Sequence, residues 1–141
     1  LNACIDEASG KYIARQDDDD ISLPGRFEKQ TEYLDNHSDT YFIGTNCELY
    51  SQGEGVYGER IMPETVDKRS FLFNSPFIHG SMMFRREVFD KERYRTLGKT
   101  RKSEDYDLFM SLCADGFKSA NLPEKLYRFH YDNQQDVFRF R

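Results

Sequence analysis

The stretch Lys11-Tyr12-Ile13-Ala14-Arg15-Gln16-Asp17-Asp18-Asp19-Asp20 decides the reading of this chain. A short β-prone segment delivers four carboxylates to one point. Such charges repel one another, and burial would cost each of them solvation. A folded chain tolerates the cluster where the site is wet or holds a cation. If the backbone there is extended, Asp17 and Asp19 share one face and Asp18 points to the other. Hard oxygen ligands of this kind suit a divalent ion. The bland alternative is an acidic loop after an edge strand. The metal reading takes precedence because the run directly follows an ordered-looking strand.

Working outward, Leu1, Cys4, Ile5 and Ala8 form one stripe at helical spacing, and Gly10 suits a C-cap. Helix, then strand, then carboxylates points to an α/β arrangement with its ligand site beyond a strand's carboxyl end. Downstream, Ser22 reads as an N-cap and Pro24 as a first-turn residue. That helix is expected to run to about Leu34, with Phe27, Thr31 and Leu34 inward. Tyr41 to Leu49 reads as a strand, with Gly44 marking a close approach. A turn at Ser51 to Gly55 leads to a short strand over Val56 to Met62. Glu64 to Phe73 is expected to be helical, Gly80 to Phe84 extended, and Arg85 to Phe89 a short helix. Tyr94 to Lys102 reads as a basic loop carrying Lys99, Arg101 and Lys102. Ser103 caps a helix through Asp105, Leu108, Phe109, Leu112 and Cys113, and Gly116 ends it. Leu122 to Tyr131 reads as a final strand along an edge. One domain over residues 1–141 is the simplest organisation.

The chain has 141 residues, enough for one real core. Charged residues make up 32% and apolar ones 38%, and the 12 Phe and 9 Tyr argue against disorder. With 20 basic and 25 acidic residues, the net charge of -5 gives no nucleic-acid footprint. Cys4, Cys47 and Cys113 have no zinc spacing and read as reduced, semi-buried thiols of a cytosolic chain. No apolar run approaches a membrane span, and no signal peptide is evident.

Asp17, Asp19 and Asp20 can bind Mg²⁺ or Mn²⁺, ions that commonly carry substrate phosphates. A second acidic cluster, Glu104-Asp105-Tyr106-Asp107, opens a predicted helix. The helix dipole favours acids there, which is the plain explanation. The functional one is a general base, with Asp105 at the edge of a cleft. Arg128 and His130 alternate with Phe129; they meet a phosphate or simply form one polar strand face. His79 is either a pocket wall or a structural hydrogen-bond partner.

The ordered set of motifs resembles the catalytic domain of family 2 glycosyltransferases, which have the nucleotide-diphospho-sugar GT-A fold. Leu1-Asn2 through Ser22, with Pro24 and Arg26, resembles that family's helix, strand and DxD region. His79-Gly80-Ser81-Met82-Met83-Phe84-Arg85-Arg86 resembles its acceptor-side strand. Glu104-Asp105-Tyr106-Asp107-Leu108 resembles its ED motif, and Asn121 to His130 the strand after it. The resemblance implies a partial GT-A fold, a mixed sheet flanked by helices. It implies Asp19 as main metal ligand, Asp17 toward the ribose or the metal, and Asp20 in support. It implies Asp105 as base, with Glu104 positioning it or the acceptor. The reaction implied is inverting transfer from a nucleoside diphosphate sugar to a hydroxyl of a glycan or lipid-linked acceptor, in surface polysaccharide or glycolipid synthesis.

The family's first nucleotide-binding strands are not recognised here. The chain is therefore expected to be the C-terminal portion of a catalytic domain whose exposed strand edges favour a homodimer. Any peripheral membrane association, at the inner face, would come through the missing part. The competing readings are a two-metal nucleotidyl transferase or phosphohydrolase, and a truncated or inactive transferase-like module.

Overall fold

A computed structural model describes residues 1–95 and 103–131 of the protein. The basic residues Lys99, Arg101 and Lys102 lie outside the described residues. Helix α1 spans Asn2–Glu7, strand β1 Tyr12–Ala14, β2 Ile21–Ser22, and helix α2 Arg26–Asn36. They are followed by β3 (Thr40–Ser51), β4 (Gly55–Arg60), β5 (Met83–Arg85), α3 (Glu104–Ala114) and β6 (Lys118–His130). The sheet runs β1-β5-β3-β6-β2, and β4 extends the same edge of β3 that β5 occupies. Among the described residues only β3 and β6 are parallel; the other strand pairings are antiparallel. This is the expected α/β fold with a mixed sheet and flanking helices, a partial GT-A fold.

The alternation of side chains along a strand sorts the core onto two faces. Phe42 and Phe84 join Leu108, Phe109 and Leu112 of α3 in a mainly aromatic cluster. Their neighbours Ile43 and Met83 pack on the opposite face with Leu34 of α2, Leu122 and Leu126. Helix α3 forms as predicted, buries Leu108, Phe109 and Leu112, and ends before Gly116, whose φ of 87° suits glycine. Gly44 is the close approach expected of it. A Cβ there would stand 2.4 Å from Asn121 Oδ1 and 2.9 Å from Met82 Sδ.

Several expectations change. The last strand is not an edge: β6 lies between β3 and β2. Its parallel pairing with β3 is set by residues far apart in the chain, which local pattern cannot reveal. Glu64 to Phe73 forms only a 3₁₀ turn at Lys68–Phe71, with Thr65 bridged to Ala120. Residues His79–Ser81 also form a 3₁₀ turn, so the extended segment begins later. Ser22 belongs to β2, and Gly25, at φ 83°, caps α2 instead. Cys4 is exposed, whereas Cys47 is buried and its thiol is pushed up to about 11 by burial.

The inward face of α2 is also different. Arg26, Gln30 and Leu34 are buried, while Phe27 is 49% exposed. Leu34 points inward as expected, but Arg26 and Gln30 take the places expected of Phe27 and Thr31, which puts a guanidinium in the core. All five of its N–H donors find neutral acceptors. Nε donates to Gln30 Oε1 at 3.1 Å, and one terminal nitrogen to Gln16 Oε1 at 3.0 Å and Ser22 Oγ at 2.7 Å. The other donates to the carbonyls of Arg15 at 2.7 Å and Met82 at 3.3 Å. The group also lies over the rings of Tyr127 and Phe27, at 5.0 and 5.1 Å. Burial lowers its pKa to about 10, so it stays charged at neutral pH.

Helix α1 docks through reciprocal bonds between Asn2 and the Tyr94 backbone. The Tyr94 hydroxyl in turn lies 2.8 Å from His79 Nε2. Burial, then the Arg15 charge, lowers the His79 pKa, while Asp105, Asp17 and Glu104 oppose that shift.

Two outcomes follow. Arg26→Lys keeps the charge but lacks the donors and the planar fork, so unfolding in urea should show a loss of roughly 3 kcal/mol. An unchanged midpoint would remove Arg26 from its structural role. His79 has a depressed folded pKa, so its contribution is present above the unfolded value of about 6.5 and is lost as pH falls through the folded one. His79→Gln should therefore lose less stability than the parent between roughly pH 7.5 and pH 5. Parallel pH profiles for the two proteins would contradict this assignment.

Candidate active site

Strand β1 ends where the Arg15 N–H donates to the Met82 carbonyl at 2.8 Å. The chain then turns instead of staying extended, so the expected alternation of the Asp run does not apply. The turn closes with Asp20 N–H to the Asp17 carbonyl at 3.4 Å. The Gln16 amide spans it, donating to the carbonyls of Asp17 at 2.9 Å and Asp20 at 3.0 Å. Its oxygen accepts from Ser22 and Arg26. The turn thus inherits its position from the buried guanidinium.

Four adjacent aspartates consequently have different surroundings. Asp20 faces β6: its carboxylate accepts from the Tyr127 hydroxyl and the His130 N–H, each at 2.7 Å. Burial raises its pKa, opposed by those two hydrogen bonds and reinforced by Asp19 and Asp17. Burial and the bond to Asp20 also push the Tyr127 phenol up. Asp17 donates its N–H to the Tyr127 hydroxyl at 3.3 Å, and its carboxylate pairs with Arg15. Asp18 is exposed. The Asp19 side chain is 63% exposed, and its carboxylate lies 3.9 Å from His130 Nδ1.

A cleft of about 560 Å³ lies beside this turn, a size that suits a small-molecule ligand. Asp17, His79 and Gly80 line it together with Asp105 at the start of α3. The two separately predicted acidic motifs thus share one cavity. Gly80 makes the junction possible, because a Cβ there would stand 2.0 Å from the Tyr127 hydroxyl and 2.7 Å from Asp17 Oδ2. The rest of the wall includes Arg60, Phe129, Asn74 and Ser75. Asp105 and Glu104 are both half-buried in the first turn of α3, where the dipole favours acids.

Not every predicted residue meets the cleft. Asp19, Asp20, Glu104, Arg128 and His130 are not among its lining. Arg128 is committed to Glu48, with Nε and a terminal nitrogen each 3.0 Å from one carboxylate oxygen, and lies over the Tyr50 ring. Among the described residues, no group of three or more His, Cys, Asp or Glu could hold a metal ion. A second cavity of about 440 Å³ lies between α1 and β1 and contains none of the predicted site residues.

Sequence reasoning missed Gln16, Tyr127 and Arg60. Gln16 adjoins the Asp run, yet nothing in its type announces that it bridges the turn. Arg60 lies over the rings of Phe129 and Tyr131, 5.3 Å from each centroid. That contact reaches across β3, which separates β4 from β6, and has no local signature.

The chain resembles known proteins along its length. EpsE of Bacillus subtilis (strain 168) is 38% identical over 100% of this chain and 50% of its own length. The O-antigen biosynthesis glycosyltransferase WbnJ of Escherichia coli is 33% identical over 96% of this chain and 54% of its own. The chain therefore spans about half the length of these curated relatives. Among solved structures, S. aureus TarS 1-349 in complex with UDP superposes with a TM-score of 0.69, covering 98% of this chain and 40% of that one. At 14% identity that likeness concerns the fold alone. Residues 1–93 match the sequence model of glycosyl transferase family 2, and the chain belongs to that family.

Proposed function

We propose that the protein containing this chain transfers a sugar from a nucleoside diphosphate sugar to a hydroxyl of a glycan or lipid-linked acceptor. The observation that carries this reading is the shared cleft, which joins the Asp17 turn to Asp105 across a sugar-sized space. Family membership and the O-antigen role in the name of WbnJ support it.

In this reading Asp105 is the general base. Its carboxylate takes the proton of the acceptor hydroxyl as that oxygen attacks the anomeric carbon, and the nucleoside diphosphate leaves from the opposite side. A single in-line displacement inverts the anomeric configuration. Glu104 sits one residue away and positions Asp105 or the acceptor. Gly80 and Tyr127 hold Asp17 at the cleft wall, where it meets the donor. Arg128 and His130, given by the sequence as donor contacts, act in this reading through the turn and the β3–β6 pair.

Mn²⁺ or Mg²⁺ would neutralise charge on the leaving diphosphate. Asp17 and the solvent-facing Asp19 would offer hard oxygen donors for it. Asp20 spends its oxygens on Tyr127 and His130 and is assigned to the scaffold. A two-metal reaction would call for more converging carboxylates than this pair.

In the full-length protein, Asp105→Asn should leave calorimetric binding of the donor intact and lower turnover by about 100-fold or more. Asp19→Asn should weaken donor binding in the presence of Mn²⁺ and leave the metal-free titration unchanged. Normal turnover by the first variant would refute the base assignment. Identical Mn²⁺ responses in the second would refute the ion assignment.

A further inference from the structure

Residues 64–75 form a loop whose two ends meet at Asn121. The Asn121 N–H donates to the Glu64 carbonyl at 3.1 Å, and its side-chain amide donates to the carbonyls of Pro63 at 2.8 Å and Pro76 at 3.0 Å. Above this neck Asp67 caps the 3₁₀ turn, accepting from the N–H groups of Arg69 and Ser70. Phe71 is 6% exposed and packs against Phe77 and Tyr106, and its carbonyl accepts from the Tyr106 hydroxyl. The loop is therefore fastened at its neck, its cap and its middle.

The next two residues do the opposite. Leu72 is 70% exposed and Phe73 is 93% exposed. Adjacent large apolar side chains presented to water gain nothing for the folded chain. Their display by an anchored loop marks a contact surface. Lys68 and Arg69, on the same turn, are exposed and have no ion pair among the described residues. The acids on the loop are Glu64 at the neck and Asp67. The backbone N–H groups of Ser70 and Arg69 hold the Asp67 carboxyl below its usual range, so it stays charged while it caps the turn.

We infer that this tip docks on an anionic lipid bilayer. Leu72 and Phe73 enter the interface between headgroups and acyl chains, and Lys68 and Arg69 pair with lipid phosphates. Apolar side chains flanked by cations suit that boundary, and long basic side chains keep their charges in the headgroup layer while their stems lie deeper. Local cations count here even though the whole chain is acidic, because attraction to the surface fades within a Debye length. The residues after the tip, Asn74 and Ser75, are part of the cleft wall. Docking would hold that wall at the membrane, where a lipid-linked acceptor would lie; this last consequence rests on the function proposed above, whereas the docking itself does not.

The test is co-sedimentation of the protein with vesicles of equal parts phosphatidylglycerol and phosphatidylcholine, against vesicles of phosphatidylcholine alone. Binding should favour the anionic vesicles. The double variant Leu72→Ser/Phe73→Ser should bind roughly tenfold less. Lys68→Gln/Arg69→Gln should bind several-fold less at low salt and like the parent at about 0.5 M salt. Matching thermal melts for parent and variants keep folding out of the readout. No sedimentation with anionic vesicles, or equal binding by Leu72→Ser/Phe73→Ser, would overturn the inference. Self-association that disappears in that variant without any vesicle binding would assign the tip to a second copy of the chain and overturn it as well.

Discussion

The Arg26 guanidinium fixes the relation between helix α2, the end of β1 and the entry to β5. It is a buried charge with no carboxylate paired to it among the described residues, and its stability rests on five neutral acceptors supplied by five different residues. Removing a charge from water is expensive unless each of its donors is met. Meeting all five constrains where those residues can be. Gln30 extends the arrangement, donating to the carbonyls of Ser81 at 2.8 Å and Ile43 at 3.3 Å. A polar stripe on α2 thereby meets the Arg15 and Ser81 carbonyls and adds a second donor to the Met82 carbonyl, which already accepts from the Arg15 N–H.

The acidic turn is built on that frame, and its four carboxylates are divided between structure and solvent. Tyr127 is the hinge of the division. Its hydroxyl accepts from the Asp17 N–H and donates to Asp20, while its ring lies under Arg26. One carboxylate is thus drawn down onto β6, one is held at the cleft, and the next two in sequence remain toward water. Repulsion among like charges is eased by this separation and by Arg15, which pairs with the member at the cleft. Gly80 completes the device by leaving room for both Tyr127 and Asp17.

Across the cleft, Asp105 is carried by a helix whose other side belongs to the aromatic core of Phe42, Phe84 and Phe109. Packing of that core, and not any local preference of Glu104 or Asp105, fixes how far α3 stands from the acidic turn. The same core anchors Phe71, and through it the loop that carries Leu72 and Phe73 outward. Site and loop therefore share one mechanical support.

The sequence by itself determined the α/β class, both acidic motifs and the span of α3. These depend on signals within a few residues: a β-prone run ending in carboxylates, or a helix set between a Ser103 cap and a Gly116 stop. Local spacing also placed Gly44 correctly, because a glycine inside a strand signals close approach. Only the tertiary structure decided which way α2 faces. An arginine looks like a solvent-facing residue until five acceptors from elsewhere surround it, and Phe27 looks like core until that arginine displaces it. The same holds for β6, whose central place depends on a parallel partner in β3 some 80 residues away in sequence. It holds too for Asp20, separated from its neighbours by a hydroxyl on Tyr127 across the sheet. Long-range contacts satisfy buried polar groups one by one, and no pattern read along the chain reveals which distant atom will do so.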